Sequence, residues 1–473
     1  MKRPGIYQLI LATTLAGFLL PNLFTTGIFG DGLIYAVISR NLSEGLGSWW
    51  NLYYSTYIFS PFAEHPPLLF WVESIWFRIL GDYHFTEKSF SVLLAAGMII
   101  SLRFFWIRIA RNQTEKQAWW FPVLLWILVP TIHWAYPNNM LENLMVLFTS
   151  WAVWSGFYKP SGQKALLVGV LVFLAFLTKG LVGLFPLAVF GIRWLSLRED
   201  TLRKALSWTS LALFGFVLCM AISLIPESAR NYWMQYFDVQ LLATLRGERL
   251  VQDHVVDLPR YYLLTRLFTE LINPLLLTGL LLLGTRRFRK KGAVPALAHG
   301  YILFFALVAC SATLPLLISP KQHSFYLIPA IPWFILALSK GAGPFVFDIL
   351  AQWQSRQLSY KISYLFFSGL FVAALVICGW RANQPGRDAD LMSAVDVIAH
   401  TTGSHQIGIP HSLIRHHSLH AYFQRNHHIS LSPYDSTAGY WITEKDSIPP
   451  PGYKTMDIGI SGYDLHQLSG QHR

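Results

Sequence analysis

The sequence predicts a mainly α, polytopic membrane protein: a bundle of about eleven transmembrane helices, interfacial helices in its first outer loop, and a small soluble α/β domain at the C-terminus. Three observations carry this expectation. Of 473 residues 53% are hydrophobic and only 13% charged, which is too apolar for soluble domains of that length. Apolar runs of roughly 20 residues, long enough to cross a bilayer core, recur along the chain. After Trp380 the composition turns polar, and helix and strand patterns alternate.

The spans fall near 6–27, 88–107, 118–136, 140–158, 164–180, 181–197, 206–225, 262–284, 296–318, 323–340 and 361–380. The first follows "MKRPG" with no small-residue cleavage pattern behind it, so it reads as a retained helix and not a secretory signal. The loops "RFFWIRIARNQTEK", "KPSGQK", "RWLSLREDTLRK" and "TRRFRKK" are basic, and those between them are acidic or balanced. The positive-inside rule places the N-terminus and the basic loops in the cytoplasm. An odd number of spans then leaves the C-terminal segment outside a cytoplasmic (inner) membrane. The formal charge of +12 is thus scattered over short turns, which removes support for a nucleic-acid partner. Cys219, Cys310 and Cys378 all lie in apolar runs and read as small buried hydrophobes.

The chain divides into a membrane domain, 1–381, and a soluble extracytoplasmic domain, 382–473. Two outer loops of the first, 28–87 and 227–260, are too long to be turns. In the former, Asp31, Tyr35, Ile38 and Leu42 share a helical face, and "PPLLFWVESIWFRIL" from Pro66 forms a second, Trp-rich helix; both suit a membrane interface. The latter is mixed in charge and reads as mobile. The C-terminal domain reads as helix 388–402, strand 406–410, helix 412–425 and strand 428–432.

Carboxylates at span ends are costly and therefore informative. Asp31 follows the first span, Glu64 lies in the first outer loop, and Glu142 opens the fourth span in "YPNNMLENLMVLF"; all gather on one side. Each also has a plainer reading, Asp31 as an N-cap beside Gly32 and Glu142 as an acid complementing a helix dipole.

"GDGLIYAVISRNLSEG" followed by "EHPPLLFWVESIWFRILGD" resembles the first outer loop of the protein O-mannosyltransferase-like and lipid A aminoarabinose transferase-like enzymes, GT-C class glycosyltransferases that use polyprenyl-phosphate sugars. "MLENLMVLF", "FLAFLTKGLVGLFPL" and "SPKQHSFYLIPAIPWFILAL" follow in the family's order. The resemblance spans most of the chain and implies a GT-C-like bundle, a polyprenyl-phosphate-linked donor and inversion at the anomeric carbon. Two departures stand out: the acid that often follows the catalytic aspartate is Gly32, and the lysine often found before the double proline is His65, which is only partly charged near neutral pH.

Such a transfer needs a base near the acceptor hydroxyl, cations near the departing phosphate, and room for a lipid tail. Asp31 is the candidate base, and Glu142 orients the acceptor or shares the proton. Lys321, His323, Tyr326 and His65 are the phosphate candidates, followed by Lys179 and Arg260; Tyr35 and Glu64 are candidate substrate contacts. Plainer readings exist for the cations, as membrane-edge anchors or solvated loop charges. Asp31 and Glu142 also offer oxygen ligands to a divalent metal ion, the one cofactor to consider. The partners expected are a polyprenyl-phosphate-linked sugar, membrane lipid, and an acceptor lipid, protein or glycan. The competing class, a transporter or lipid-carrier flippase, would carry ionisable groups at mid-membrane and two related halves, neither of which the sequence displays. In "HSLIRHHSLHAYFQRNHH", His416 and His420 stand one helical turn apart without a third ligand at set spacing, so the run reads as a structural or solvated face.

Overall fold

The computed structural model describes residues 5–242, 259, 261–285, 296–319, 322–355, 357–433 and 438–469. The first span, α1 (Ile6–Phe24), delivers the chain to α2 (Gly30–Ser43). A short hairpin, β1 (Gly47–Ser48) with β2 (Asn51–Leu52), follows, and then α3 (Leu68–Leu80). The bundle continues with α4 (Thr86–Ile109), α5 (Trp120–Ile127), α6 (Pro130–Ala135), α7 (Leu141–Phe157), α8 (Gly162–Lys179), α9 (Val189–Leu197) and α10 (Leu202–Ser223). After α11 (Glu227–Gln235) come α12 (Tyr262–Thr285), α13 (Ala296–Thr313), α14 (Ile331–Ser355) and α15 (Gln357–Arg381).

Among the described residues seven helices are long and apolar enough to cross a membrane. The larger expected number reflects how the remaining runs fold. The run 118–136 is broken: Pro130 brings no N–H to a helix and disfavours helical backbone at Val129, so α5 ends and α6 begins there. Glu270 of α12 accepts the Thr131 N–H at 2.7 Å, and Asn273 donates to the Leu128 carbonyl at 3.0 Å, so the backbone groups freed at the break find partners. Residues 162–197 form one apolar stretch, bent at Gly180, whose φ of 72° ends α8. Large apolar side chains stay exposed along α10 and α15, among them Phe214 and Leu365, the surface a bilayer covers.

Charge and hydrogen bonding lock the C-terminal part onto α2. This part comprises α16 (Ala389–Thr402), β3 (Gln406–Gly408), α17 (His417–His427), β4 (Ser430–Ser432), β5 (Tyr440–Glu444), β6 (Tyr453–Met456) and β7 (Tyr463–Leu468). The strand order is β4-β3-β5-β7-β6: β3 runs parallel to β4 and β5, with Ile407 opposite Leu431, and β7 runs antiparallel to β5 and β6. The expected helix and strand around 388–410 match α16 and β3, whereas the second helix starts later, at His417, because a 3₁₀ turn occupies His411–Leu413. Strands β5 to β7 were not expected.

α2 also departs from a helix lying on a surface. Every residue from Gly32 to Leu42 is buried, because α3 covers one side and α17 the other. Arg40, 1% exposed, donates to the carbonyls of Gln424 and Arg425 at 2.8 and 3.1 Å. Arg425 reaches back to Asp82 at 2.6 Å, the Tyr83 carbonyl at 2.7 Å and Glu87 at 2.9 Å. Each arginine thus crosses to the other side of the interface.

Candidate functional site

Asp31 sits in the first turn of α2, where the helix dipole favours an anion. The N-cap position belongs to Phe29, whose N–H is taken by the Asn138 side chain at 2.7 Å. The capping reading of Asp31 is thereby set aside. Asp31 is half-buried and one turn ahead of the buried Tyr35. Gly32 has a packing reason to lack a side chain: a Cβ there would lie 1.9 Å from the Asn138 carbonyl oxygen, so the turn before α7 packs directly on the α2 backbone. That contact brings the start of α7, and Glu142 in its first turn, against α2.

Glu142 is fully buried. Its Oε1 is gripped by the Lys179 ammonium, while Oε2 has no hydrogen-bond partner among the described residues. Lys179 ends α8, where the turn at Gly180 leaves its amine over the rings of Phe325 at 5.1 Å and Tyr326 at 5.0 Å. His323 stacks on Phe325 at 4.9 Å and meets Tyr326 edge-on at 5.4 Å. On the other flank the His65 ring meets Tyr35 edge-on at 5.6 Å, and the Tyr232 hydroxyl donates to the His65 carbonyl.

Tyr35 lies at the electrostatic centre of this group. Burial, followed by the carboxylates of Asp31 and Glu142, then Tyr326 and Glu64, holds its phenol well above the usual range, so it stands as a protonated hydrogen-bond donor. Eight sequence candidates therefore converge: Asp31, Tyr35, Glu64, His65, Glu142, Lys179, His323 and Tyr326. Lys321 and Arg260 lie outside the described residues.

A cavity of about 870 Å³ opens beside these groups. Glu64, His65, Lys179 and Tyr326 line its polar end, and Leu181, Val182, Phe185, Leu314, Leu316 and Ile318 its apolar length. Tyr236 and Gln240 close one wall, so the described start of the second outer loop is part of the site and not a free segment. Its Trp233, 1% exposed, packs among Trp50, Phe176 and Tyr236.

The histidine-rich run serves the interface. His416 Nδ1 accepts the Leu419 N–H at 3.1 Å and so caps α17, and the His420 ring pairs with the Leu413 carbonyl at 3.1 Å. His428 meets the side chains of Glu44 and Asp82, a grouping within reach of one metal ion. The Arg40 guanidinium lies 3.9 Å from both carboxylates, however, and supplies the positive charge there.

Several residues of the site region carried no sequence signal that was used. Asn138 and Asn139 precede Glu142, and Asn139 adopts φ of 50°, a turn conformation that asparagine tolerates; the "NN" pair was the available cue. Ser39 and Glu73 enter the sequence reading only as parts of the amphipathic pieces of the first outer loop, and Tyr232 only as part of the mixed-charge second one.

Residues 64–224 match the sequence profile of the dolichyl-phosphate-mannose-protein mannosyltransferase family. No curated protein matches by sequence. In three dimensions the chain is similar to ArnT from Cupriavidus metallidurans bound to undecaprenyl phosphate, at 15% identity, with 98% of this chain and 96% of that one covered and a TM-score of 0.63. For the apo state of the same protein the identity is 16%, the coverage 97% and 96%, and the TM-score 0.60. The fold is therefore shared over essentially the whole length of both chains.

Proposed function

We propose that this chain is a membrane glycosyltransferase that draws on a polyprenyl-phosphate-linked sugar and transfers it with inversion to a hydroxyl acceptor, Asp31 serving as the base. The observation that carries the reading is that Lys179 and Tyr326 line the polar end of one apolar cavity, while Lys179 pairs with Glu142 and the carboxylates of Asp31 and Glu142 both act on Tyr35 behind it. Undecaprenyl phosphate, the ligand bound in the similar ArnT, has the shape this cavity asks for: a long apolar tail with an anionic head.

In this scheme the tail lies along Leu181, Phe185, Leu314 and Leu316, and the phosphate meets Lys179, His65, His323 and Tyr326. Lys321 and Arg260 are proposed as further phosphate contacts on sequence grounds. Asp31 takes the acceptor proton as the hydroxyl oxygen attacks the anomeric carbon, and the bond to the phosphate oxygen breaks on the opposite side. The bare Oε2 of Glu142 orients the acceptor, and Tyr35 and Glu64 contact the sugar. The acceptor enters from the outer face of a cytoplasmic membrane, with the N-terminus on the cytoplasmic side and the C-terminal domain outside; the basic loops support that orientation.

In this reading the Lys179 ammonium, already paired with one oxygen of the Glu142 carboxylate, takes the place a divalent ion would occupy. Lys179 is proposed as the positive charge that faces the leaving phosphate, and a chelator should leave transfer unchanged.

The test is transfer from a polyprenyl-phosphate-linked sugar by purified wild type and Asp31→Asn. The variant should lose on the order of 10²- to 10⁴-fold in rate, the usual worth of a general base. Full activity in the variant removes Asp31 from this role. Mass spectrometry of envelope lipids and proteins from cells with and without the gene then identifies sugar and acceptor together.

A further inference from the structure

Behind the catalytic face, the carboxyl of Glu73 on α3 is completely buried between α2 and the turn that precedes α7. The Ser39 hydroxyl lies 2.7 Å from Glu73 Oε2 and 2.9 Å from the Tyr35 carbonyl, and the Asn139 amide donates to Glu73 Oε1 at 2.8 Å. Ser39 has one hydroxyl proton and two acceptors in reach. With the carboxyl ionised, Ser39 shares that one proton between the two oxygens; both contacts become full hydrogen bonds when the carboxyl brings a proton of its own, Glu73 donating to Ser39 Oγ and Ser39 donating to the Tyr35 carbonyl.

The partners of Glu73 belong to the two segments that carry the proposed catalytic pair. Ser39 lies one turn after Tyr35 and two after Asp31, and Asn139 lies three residues before Glu142. We infer that Glu73, in its protonated form, is a positioning residue that ties α2 to the Asn139 turn and so sets the placement of Asp31 against Glu142. This rests on the assignment of Asp31 and Glu142 above.

The electrostatics agree with the proton count. Burial is the largest influence and pushes the Glu73 carboxyl up to about 8, with the Ser39 and Asn139 hydrogen bonds acting in the opposite sense. Glu87 of α4 raises it further and Arg425 of α17 lowers it. Below that value the strut is intact; above it, Ser39 divides its one proton between two acceptors and an uncompensated charge appears between α2 and α3.

Glu73→Gln supplies the same pattern without a titratable proton, and Glu73→Ala removes it. In the transfer assay wild type should decline in kcat as pH rises through about 8, and Glu73→Gln should keep kcat within about twofold of wild type and lack that decline. Glu73→Ala should fall at least tenfold in kcat with donor KM little changed, the split expected when only the reacting geometry is disturbed. If Glu73→Gln is as inactive as Glu73→Ala, or Glu73→Ala retains wild-type kcat, the inference fails.

A readout independent of transfer guards against misfolded variants and against failure of the Asp31 assignment. A buried carboxyl raised from 4.5 to about 8 makes wild-type stability fall as pH rises through that window, because the folded state holds the proton there and the unfolded chain does not. Glu73→Gln should lack that component of the fall. Infrared difference spectra of wild type minus Glu73→Gln at pH 7 should contain a carboxylic-acid C=O band; a carboxylate band in its place overturns the protonated strut, whatever Asp31 does.

Discussion

Two sets of buried charges lie on opposite sides of α2, and they are finished to different degrees. On the interface side Arg40 and Arg425 interlock with Asp82, Glu87 and three backbone carbonyls, and both terminal nitrogens of Arg425 are engaged. On the cavity side Glu142 is just as deeply buried, yet one of its oxygens has no partner among the described residues, and the lysine it holds also lines an open cavity. The interface charges pair with opposite charges and carbonyls of the protein, with only the Arg425 Nε left without a hydrogen bond, and they fix the C-terminal domain in place. A carboxylate left partly unmet beside a cavity is the kind of group a bound ligand can complete.

The contrast is broken most severely at Lys179. Lys179→Met should cost about 3–5 kcal/mol, the loss seen when one member of a buried pair is removed and the other is left behind. The double variant Glu142→Gln/Lys179→Met should recover most of that stability, because no buried charge remains, and stay inactive in transfer. Thermal unfolding in detergent micelles measures the first part and the donor assay the second. A single variant as stable as wild type would mean that the pair is not the closed unit described here.

Arg425→Met attacks the other side. Asp82 is partly solvated while Glu87 is enclosed, so the loss should sit near about 3 kcal/mol, the lower end for a broken buried pair. It should appear as faster hydrogen exchange in β3 and β4 and as proteolytic cleavage near residues 382–388. Should transfer fall in step with Lys179→Met, the two sides of α2 would be one functional unit and the distinction drawn here would be wrong.

How much of this was legible from the residues alone follows the same division. The apolar runs, the basic loops and the carboxylates at span ends stand in the sequence as periodicity and charge, and Asp31, Glu142, Lys179 and Tyr326 could be picked out because ionisable groups beside spans are expensive. The interface was not legible. Nothing in the residues around Arg40 marks it, and only the packing of α17 on α2 shows that it caps carbonyls. Strands β5 to β7 escaped because their pattern is blurred: the fully buried His466 sits between Thr443 and Thr455, whose hydroxyls lie 2.8 and 3.0 Å from its ring nitrogens, so polar residues occupy inward positions. Pro130 was visible, but the groups that tolerate the break it makes, Glu270 and Asn273, stand about 140 residues away in the chain.

Gly32→Ala is an intermediate perturbation. Its Cβ collides with the Asn138 carbonyl, so the turn before α7 must retreat, at about 1–3 kcal/mol for an overpacked contact. Because that turn also carries Asn139 and leads to Glu142, the rate of transfer should fall with the stability. Gly32→Asp, which adds the second acid that enzymes resembling this sequence often carry there, should be worse for the same steric reason. An active, stable Gly32→Asp would mean that the close approach of Asn138 to α2 is not required.

The smallest effect should come from Tyr232→Phe. The hydroxyl donates to the His65 carbonyl across the cavity wall, and both residues are anchored by packing on Trp50 and Tyr35. Losing the bond should cost about 1 kcal/mol. His65 is a proposed phosphate contact in ground state and transition state alike, so the loss should raise the donor KM a few-fold and leave kcat unchanged. A fall in kcat with KM unchanged would instead place the His65 backbone among the groups that act only as the glycosidic bond breaks, and would move the boundary between the scaffold and the reacting groups one residue outward.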